Sequence, residues 1–298
     1  MKKYLIHICL FFIIVFIIDV GFGKFCAYAI KHAKGGETKP LQYIAYECDK
    51  DIIILGSSRA LHHYDDKLIE EQTRIKTYNA GMDGVGCIAM YARYKLLIKH
   101  HHPQLIIYDI EPLFDIYDYD DAGGTRYTAH LKVLADDPDV YNVITDVDPD
   151  ERIKLKSSLY KYNIVFVSNI ADWLLRSSSD NFGYEPLQGK MNASQVYNYK
   201  TNLIVSQIKL KYLNKLIADT KKDGVKLVFL ASPKYGASSD NLWPIKNLCQ
   251  ENNLEFWDYT NTEKYNRMEL FKEPMHLNYE GSQLFTLEII NRLQQASF

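Results

Sequence analysis

The sequence predicts an α/β protein in which a parallel sheet of about five strands is covered by helices on both faces, behind one apolar N-terminal helix. Three observations carry that prediction: short apolar runs bounded by turn residues, helical patterns between most of them, and one nearly unbroken apolar stretch near the start. The runs are Asp51-Ile52-Ile53-Ile54-Leu55, Ile75 to Tyr78, Leu105 to Ile110, Val225 to Ala231 and Leu254 to Tyr259. Apolar runs this short, without alternation, are the pattern of strands buried on both faces. Helices are predicted at about 65–74, 87–101, 201–222, 241–252 and 279–295, and strands alternating with helices imply a parallel sheet. Asn278 can cap the last helix by accepting from an orphan N–H of its first turn.

The N-terminal stretch runs from Tyr4 to Val20, is preceded by Lys2 and Lys3, and contains Asp19 near its far end. About 20 apolar residues are needed to cross 30 Å of hydrocarbon, so residues 1–23 are expected to be a transmembrane anchor or signal-anchor. The run exceeds the usual apolar core of a cleaved signal peptide. Basic residues ahead of it should remain in the cytoplasm, which for a bacterial chain puts the rest in the periplasm. Residues 24–50 are expected to be a stalk, broken at Lys34-Gly35-Gly36-Glu37, and residues 51–298 the sheet domain. Within it the span of about 112–200 breaks the strand–helix rhythm with acidic turns and a predicted helix near 159–175. That span is expected to be an insertion after the third strand, where it can cover the crevice at the carboxyl ends of the strands.

Lysine and arginine number 35 against 37 aspartates and glutamates, a net charge of −2. That balance supplies no basic stripe and excludes nucleic acid as an expected partner. The five cysteines, Cys9, Cys26, Cys48, Cys87 and Cys249, have no close pairing and match neither a disulfide framework nor a zinc site. No metal and no cofactor is expected.

The first strand runs directly into Gly56-Ser57-Ser58-Arg59. A serine there projects above the sheet, although Gly-Ser-Ser alone is equally a plain turn. Near the other end stands Glu273-Pro274-Met275-His276-Leu277-Asn278, in a loop after the fifth strand that a doubly wound sheet brings to the same rim. A hydroxyl is a weak nucleophile that needs a neighbouring base, and the base needs a group to fix its tautomer. Histidine suits the base because it takes and returns a proton near neutrality. Ser58 is thus the candidate nucleophile, His276 the base and Glu273 the orienting acid. Between them, Asn79-Ala80-Gly81-Met82-Asp83-Gly84-Val85-Gly86 ends the second strand; the N–H groups of Ser58 and Gly84 are candidate oxyanion donors. A phosphate-binding glycine loop is the competing reading, but the glycine order is not G-x-G-x-x-G and no lysine-serine pair follows.

These three blocks resemble, in order, those of the GDSL/SGNH hydrolase superfamily, in particular its membrane-anchored bacterial branch, in which Gly-Ser-Ser replaces Gly-Asp-Ser. The resemblance spans roughly residues 50–295, most of the insertion excepted. It implies a flavodoxin-like three-layer α/β/α sandwich and activity as an esterase, lipase or O-acetyltransferase, several members acting on cell-surface polysaccharides. It aligns Ser58 with the nucleophile, Gly84 with the second-block glycine and His276 with the base. Two departures stand out. Glu273 occupies the usual aspartate position, and Tyr108-Asp109-Ile110-Glu111-Pro112 stands where a third-block asparagine belongs, with carboxylates that would repel an oxyanion unless turned away or protonated.

Arg59, His63, Asn79 and Tyr184 are further candidates for substrate contact. Arg59 suits an anionic group or a partner acid, His62-His63 follows the serine closely enough to line the crevice, and Tyr184 lies in Asn181-Phe182-Gly183-Tyr184-Glu185-Pro186, a loop suited to a glycan or to a buried aromatic pair. His100-His101-His102 ends a helix, where cations favour the dipole. The expectation is an extracytoplasmic serine-dependent acyl-ester hydrolase or O-acetyltransferase acting on a surface glycan, anchored by its N-terminal helix and served by a membrane acyl-donor protein. The alternatives are a non-catalytic glycan-binding or polysaccharide-assembly protein on the same fold and a cofactor-binding flavodoxin-like module.

Overall fold

The computed structural model describes residues 1–36, 38–118, 128–163, 165–176, 183–192, 203–236 and 239–295. They fall into two compact units, one of Met1–Glu47 with Gly123–Asp180, the other of Cys48–Ala122 with Asn181–Phe298.

The first unit is helical. Its helix Lys2–Lys31 has 30 residues, about 45 Å at 1.5 Å per residue, and is long and apolar enough to cross a membrane. The helix continues past the expected boundary at 23 because Cys26, Ala29 and Ile30 carry an apolar face that is buried inside the unit. Phe22 packs on Phe166, and Phe25 and Tyr28 meet Trp173 edge to face. The carboxylate of Asp19 accepts from the Ser157 hydroxyl and from the N–H groups of Ser158 and Leu159 at 2.8–2.9 Å. It thereby satisfies orphan donors at the start of helix Ser158–Tyr162. The helix predicted near 159–175 is two helices, Ser158–Tyr162 and Phe166–Leu174.

The second unit contains the parallel sheet. Its strands are β1 (Ile52–Gly56), β2 (Thr77–Asn79), β3 (Leu105–Asp109), β4 (Lys226–Ala231) and β5 (Glu255–Asp258). They pair in the order β2-β1-β3-β4-β5, all parallel. This is the flavodoxin-like doubly wound order, in which the chain starts in the middle and reverses direction between β1 and β3. The helices that matter here are α1 (Ser58–His63), α2 (Asp66–Thr73), α3 (Cys87–Leu97), α4 (Gln207–Lys222), α5 (Trp243–Asn252) and α6 (Tyr279–Gln295). Because strand side chains alternate, Ile52, Ile54, Ile107, Val228 and Leu230 face one side, where Ala60, Ile69, Phe285 and Ile289 of α1, α2 and α6 cover them. Helices α3 and α4 pack together, α3 against β1 and α4 against β4. Asn278 caps α6 as expected, its Oδ1 accepting from Gly281 N–H at 3.0 Å. A short antiparallel hairpin, β6 (Phe271–Glu273) and β7 (His276–Leu277), ends the path from β5 to α6.

Candidate active site

The segment after β1 turns helical earlier than the sequence suggested, since α1 already begins at Ser58. The turn depends on Gly56, which has φ +146° and would place a Cβ 2.6 Å from the Asp109 carbonyl oxygen. With Ser57 buried and Ser58 half-buried at the first position of α1, only the second hydroxyl reaches the rim. Ser58 Oγ lies 2.7 Å from His276 Nε2. On the other side of the ring, Nδ1 donates to the Glu273 carboxylate, whose second oxygen accepts from Met275 N–H at 2.9 Å. The hairpin makes this possible, because Glu273 and His276 are directly paired across its turn. Burial works to raise the Glu273 carboxyl, but the bonds from His276 and Met275 outweigh it and hold the group below the ordinary glutamate value.

Gly84 sits on the loop between β2 and α3 with φ +68° and open space where a Cβ would be. The loop is fastened to the end of β1 by Met82 N–H donating to the Gly56 carbonyl at 3.2 Å. Asn79 is buried rather than presented to a ligand. Its amide donates to the carbonyls of Ala60 at 2.7 Å and Tyr64 at 2.9 Å, and its Oδ1 accepts from Gly81 N–H. It is the tie between β2 and α1.

Arg59 and His63 are likewise inside the protein, so the structure places neither where a substrate group could reach it. Arg59 is 1% exposed and its Nη1 is 2.8 Å from Glu111. Nη1 also reaches the Ile110 carbonyl at 3.5 Å, and the other donors go to Ser232, through Nε to the hydroxyl at 3.1 Å and through Nη2 to the carbonyl. Desolvation works against the cation, and Asp109 and Glu111 reverse that effect and keep it charged. The two carboxylates in the third-block position are therefore turned inward onto a cation. Asp109 also accepts from the Tyr64 hydroxyl at 2.8 Å and from Ser232 N–H at 3.1 Å. His63 Nε2 accepts from Leu277 N–H at 2.9 Å, so Nδ1 carries the proton and donates to Ser232 Oγ at 2.8 Å. Burial pushes His63 well below the ordinary histidine value, and the charge on Arg59 pushes the same way. His63 thus hangs the hairpin that carries His276 onto the helix that carries Ser58. The Tyr184 hydroxyl meets Ser282 Oγ on the first turn of α6. Asn181 and Phe182 of that loop lie outside the described residues.

Ser232 is the residue that motif reading passed over, and His62 was read only together with His63, as lining the crevice. Ser232 follows β4, so its signal was a hydroxyl at the carboxyl end of a central strand, where doubly wound sheets build their crevice. His62 lies one turn after Ser58; its Nδ1 is 2.6 Å from the Glu185 carbonyl oxygen and its Nε2 is 3.2 Å from Asp83 Oδ1. His101 is hydrogen-bonded to the Lys50 carbonyl at 2.8 Å. Among the described residues no group of three or more His, Cys, Asp or Glu side chains is arranged to hold a metal ion.

Fold and rim together define a class: a flavodoxin-like three-layer α/β protein with a serine, a histidine and a glutamate in one hydrogen-bonded chain at the carboxyl ends of its strands. No family model matches the chain, and neither does any curated protein. Among solved structures it is similar to one from Desulfitobacterium hafniense, provisionally described as a lipolytic protein of the G-D-S-L family, at 8% identity and TM-score 0.40 over 81% of this chain and 98% of that one. It is also similar to one from Bacteroides fragilis, provisionally described as an acylhydrolase, at 11% identity and TM-score 0.43 over 88% and 95%. A third, from Streptococcus pneumoniae and provisionally described as a platelet activating factor, is 11% identical at TM-score 0.44 over 96% and 99%. At identities and scores this low, the likeness decides nothing about chemistry.

Proposed function

We propose that the protein is a serine-dependent acyl-ester hydrolase or O-acetyltransferase that works through an acyl-enzyme on Ser58. The observation that carries this reading is the Ser58–His276–Glu273 chain, with 2.7 Å between hydroxyl and imidazole. Glu273 accepts from Nδ1–H and thereby leaves the Nε2 lone pair facing the hydroxyl, which is the tautomer a general base needs. Ser58 Oγ attacks the ester carbonyl carbon as its proton passes to Nε2. The tetrahedral intermediate then collapses, the C–O bond to the leaving alcohol breaks, and that alcohol takes the proton from His276. Water or a sugar hydroxyl resolves the acyl-enzyme by the same path in reverse, returning its own proton through His276. The Ser58 and Gly84 N–H groups are the assigned oxyanion donors.

An N-terminal helix long and apolar enough to cross a membrane supports an extracytoplasmic site and a large surface glycan as acceptor, with a membrane protein supplying activated acyl groups in the transferase case. The inward-facing Asp109 and Glu111 remove the objection that carboxylates beside the site would repel an oxyanion.

The test is p-nitrophenol release from its acetate ester by the full-length protein in detergent, set beside Ser58→Ala, His276→Ala and Glu273→Gln. Loss of roughly 10³-fold or more is expected for the first two. A smaller loss is expected for Glu273→Gln, because the amide presents a different donor pattern to Nδ1. Hydrolysis equal in wild type and Ser58→Ala would refute the hydrolase reading. Acyl transfer to an oligosaccharide acceptor without hydrolysis would select the transferase, and binding of the oligosaccharide without either reaction would select a glycan-binding protein.

A further inference from the structure

Three histidines meet beside Ser58, and their partners set one of them apart from the other two. His276 has a carboxylate at Nδ1 and a hydroxyl that can donate at Nε2, so one proton suffices. His63 has a hydroxyl at Nδ1 and a backbone N–H at Nε2, again one proton. His62 differs. Its Nδ1 faces the Glu185 carbonyl oxygen at 2.6 Å and its Nε2 faces Asp83 Oδ1 at 3.2 Å. Both partners only accept, and a neutral imidazole has a single donor. With a carbonyl oxygen at one nitrogen and a carboxylate oxygen within ion-pair distance of the other, protons on both nitrogens, and hence the cation, match the two partners. Asp83 does not supply the missing proton instead, because its side chain is 66% exposed and the bond from His62, working against partial burial, holds its carboxyl below the ordinary aspartate value.

The placement gives that charge a task. Ser58 and His62 are four residues apart on α1 and so share a face. Asp83 immediately precedes Gly84 on the loop after β2, and the Gly84 backbone is in the left-handed region. The His62 ring lies edge-on to His276 with centroids 5.4 Å apart. We propose that His62 is an imidazolium and acts as a positioning residue, pinning the Asp83–Gly84 turn to the helix that bears the nucleophile and so fixing the Gly84 amide. This deepens the acyl-transfer reading and rests on it.

The groups facing His62 are Asp83 from the β2–α3 loop, the Glu185 carbonyl from the 183–192 segment, His276 from the hairpin, and His63 on its own helix. Burial alone would lower the His62 value; Asp83 and Glu185 reverse it, and the group lies above the ordinary histidine value. Loss of the proton removes the charge that holds Asp83, and the ion-pair contact at the exposed end is the one that opens while Nδ1 keeps the Glu185 carbonyl. The oxyanion donor then loosens without any change in where the acyl group binds.

Two measurements on the full-length protein in detergent test this. Exchange of the imidazole C2–H with deuterium, read by mass spectrometry across pH, gives the titration of each histidine without recourse to activity. The expected midpoint for His62 lies above the ordinary value of about 6.5 and falls toward it in Asp83→Asn. In parallel, p-nitrophenyl acetate hydrolysis is followed against pH for wild type, Asp83→Asn and His62→Gln. Both variants should lose about tenfold in kcat, less than the 10²–10³ of a donor removed outright, with KM within about twofold. The alkaline fall in kcat should move to lower pH in Asp83→Asn and disappear in His62→Gln. A His62 midpoint at or below 6.5 overturns the imidazolium, and an unchanged kcat and alkaline limb in Asp83→Asn overturns the positioning role. Absence of any Ser58-dependent hydrolysis in wild type counts instead against the acyl-transfer reading, and removes the positioning role with it; the exchange midpoint still decides the charge on His62.

Discussion

Replacing Arg59 with methionine tests the strongest claim about how the site is held up. The guanidinium is 1% exposed, and its partner Glu111 is also 1% exposed with one carboxylate oxygen, Oε1, already lacking a hydrogen bond. Taking away the 2.8 Å bond to Nη1 leaves that carboxylate buried with neither oxygen paired to a cation. Asp109, fully buried, loses a charge 3.9 Å away, and Ser232 loses the guanidinium's bonds to its hydroxyl and carbonyl while keeping the one from His63. Breaking a buried ion pair from one side costs about 3–5 kcal/mol. For a unit of this size each kcal/mol moves Tm by about 2–4 °C, so a fall of roughly 6–20 °C is expected. Thermal unfolding of the full-length protein in detergent, followed by tryptophan fluorescence through the buried Trp257, reads it. The double variant Arg59→Met with Glu111→Met should recover at least half of the loss, since the orphaned charge is gone. Lys76→Met is the control. Its pair with Asp49 joins two side chains each more than half exposed and open to screening by salt and water, so Tm is expected to stay within experimental error of wild type. A fall in Arg59→Met no larger than that control, or a double variant worse than the single, would refute the account.

Two further outcomes concern the same rim. His63 is neutral and held well below its ordinary value in the folded state, so the unfolded chain takes up its proton first; the stability this contributes is complete above about pH 6.5 and is lost as pH falls below it. The decline in Tm from pH 7.5 to 5.5 should therefore be shallower in His63→Asn than in wild type, and parallel slopes would show the residue to be irrelevant to acid stability. Gly56→Ala should destabilise by about 1–3 kcal/mol, because it combines a strained φ with a Cβ pressed against the Asp109 backbone. Gly84→Ala carries only the φ cost, since nothing lies near its Cβ, so equal Tm shifts in the two variants would contradict the packing at Gly56.

The sheet was legible from composition alone because runs such as Ile52 to Leu55 and Leu227 to Ala231 have no reading as exposed structure, and their alternation with helices admits little besides a parallel sheet. The ends of α5 and α6 fell close to expectation, helped by Asn278, whose cap is a local interaction. The start of α1 did not, because no cap at Ser57 announces it and the turn is set by contact between Gly56 and β3. Likewise the helix Lys2–Lys31 outruns its apolar composition because the rest of it is fixed by packing within its own unit.

For the site, the sequence by itself determined which residue types could carry proton transfer and that the β1 turn and the last hairpin would share a rim. Strand order follows from local pattern and chain connectivity, and both are written in the chain. Only the tertiary structure decided what Arg59, His63, Asn79, Asp109 and Glu111 do, since a polar residue near a crevice reads the same in sequence whether it faces a ligand or a buried partner. Their partners Ser232, Leu277 and Ala60 lie up to 214 residues from them in the chain. Burial and long-range hydrogen bonding separate the two cases, and neither leaves a local signature.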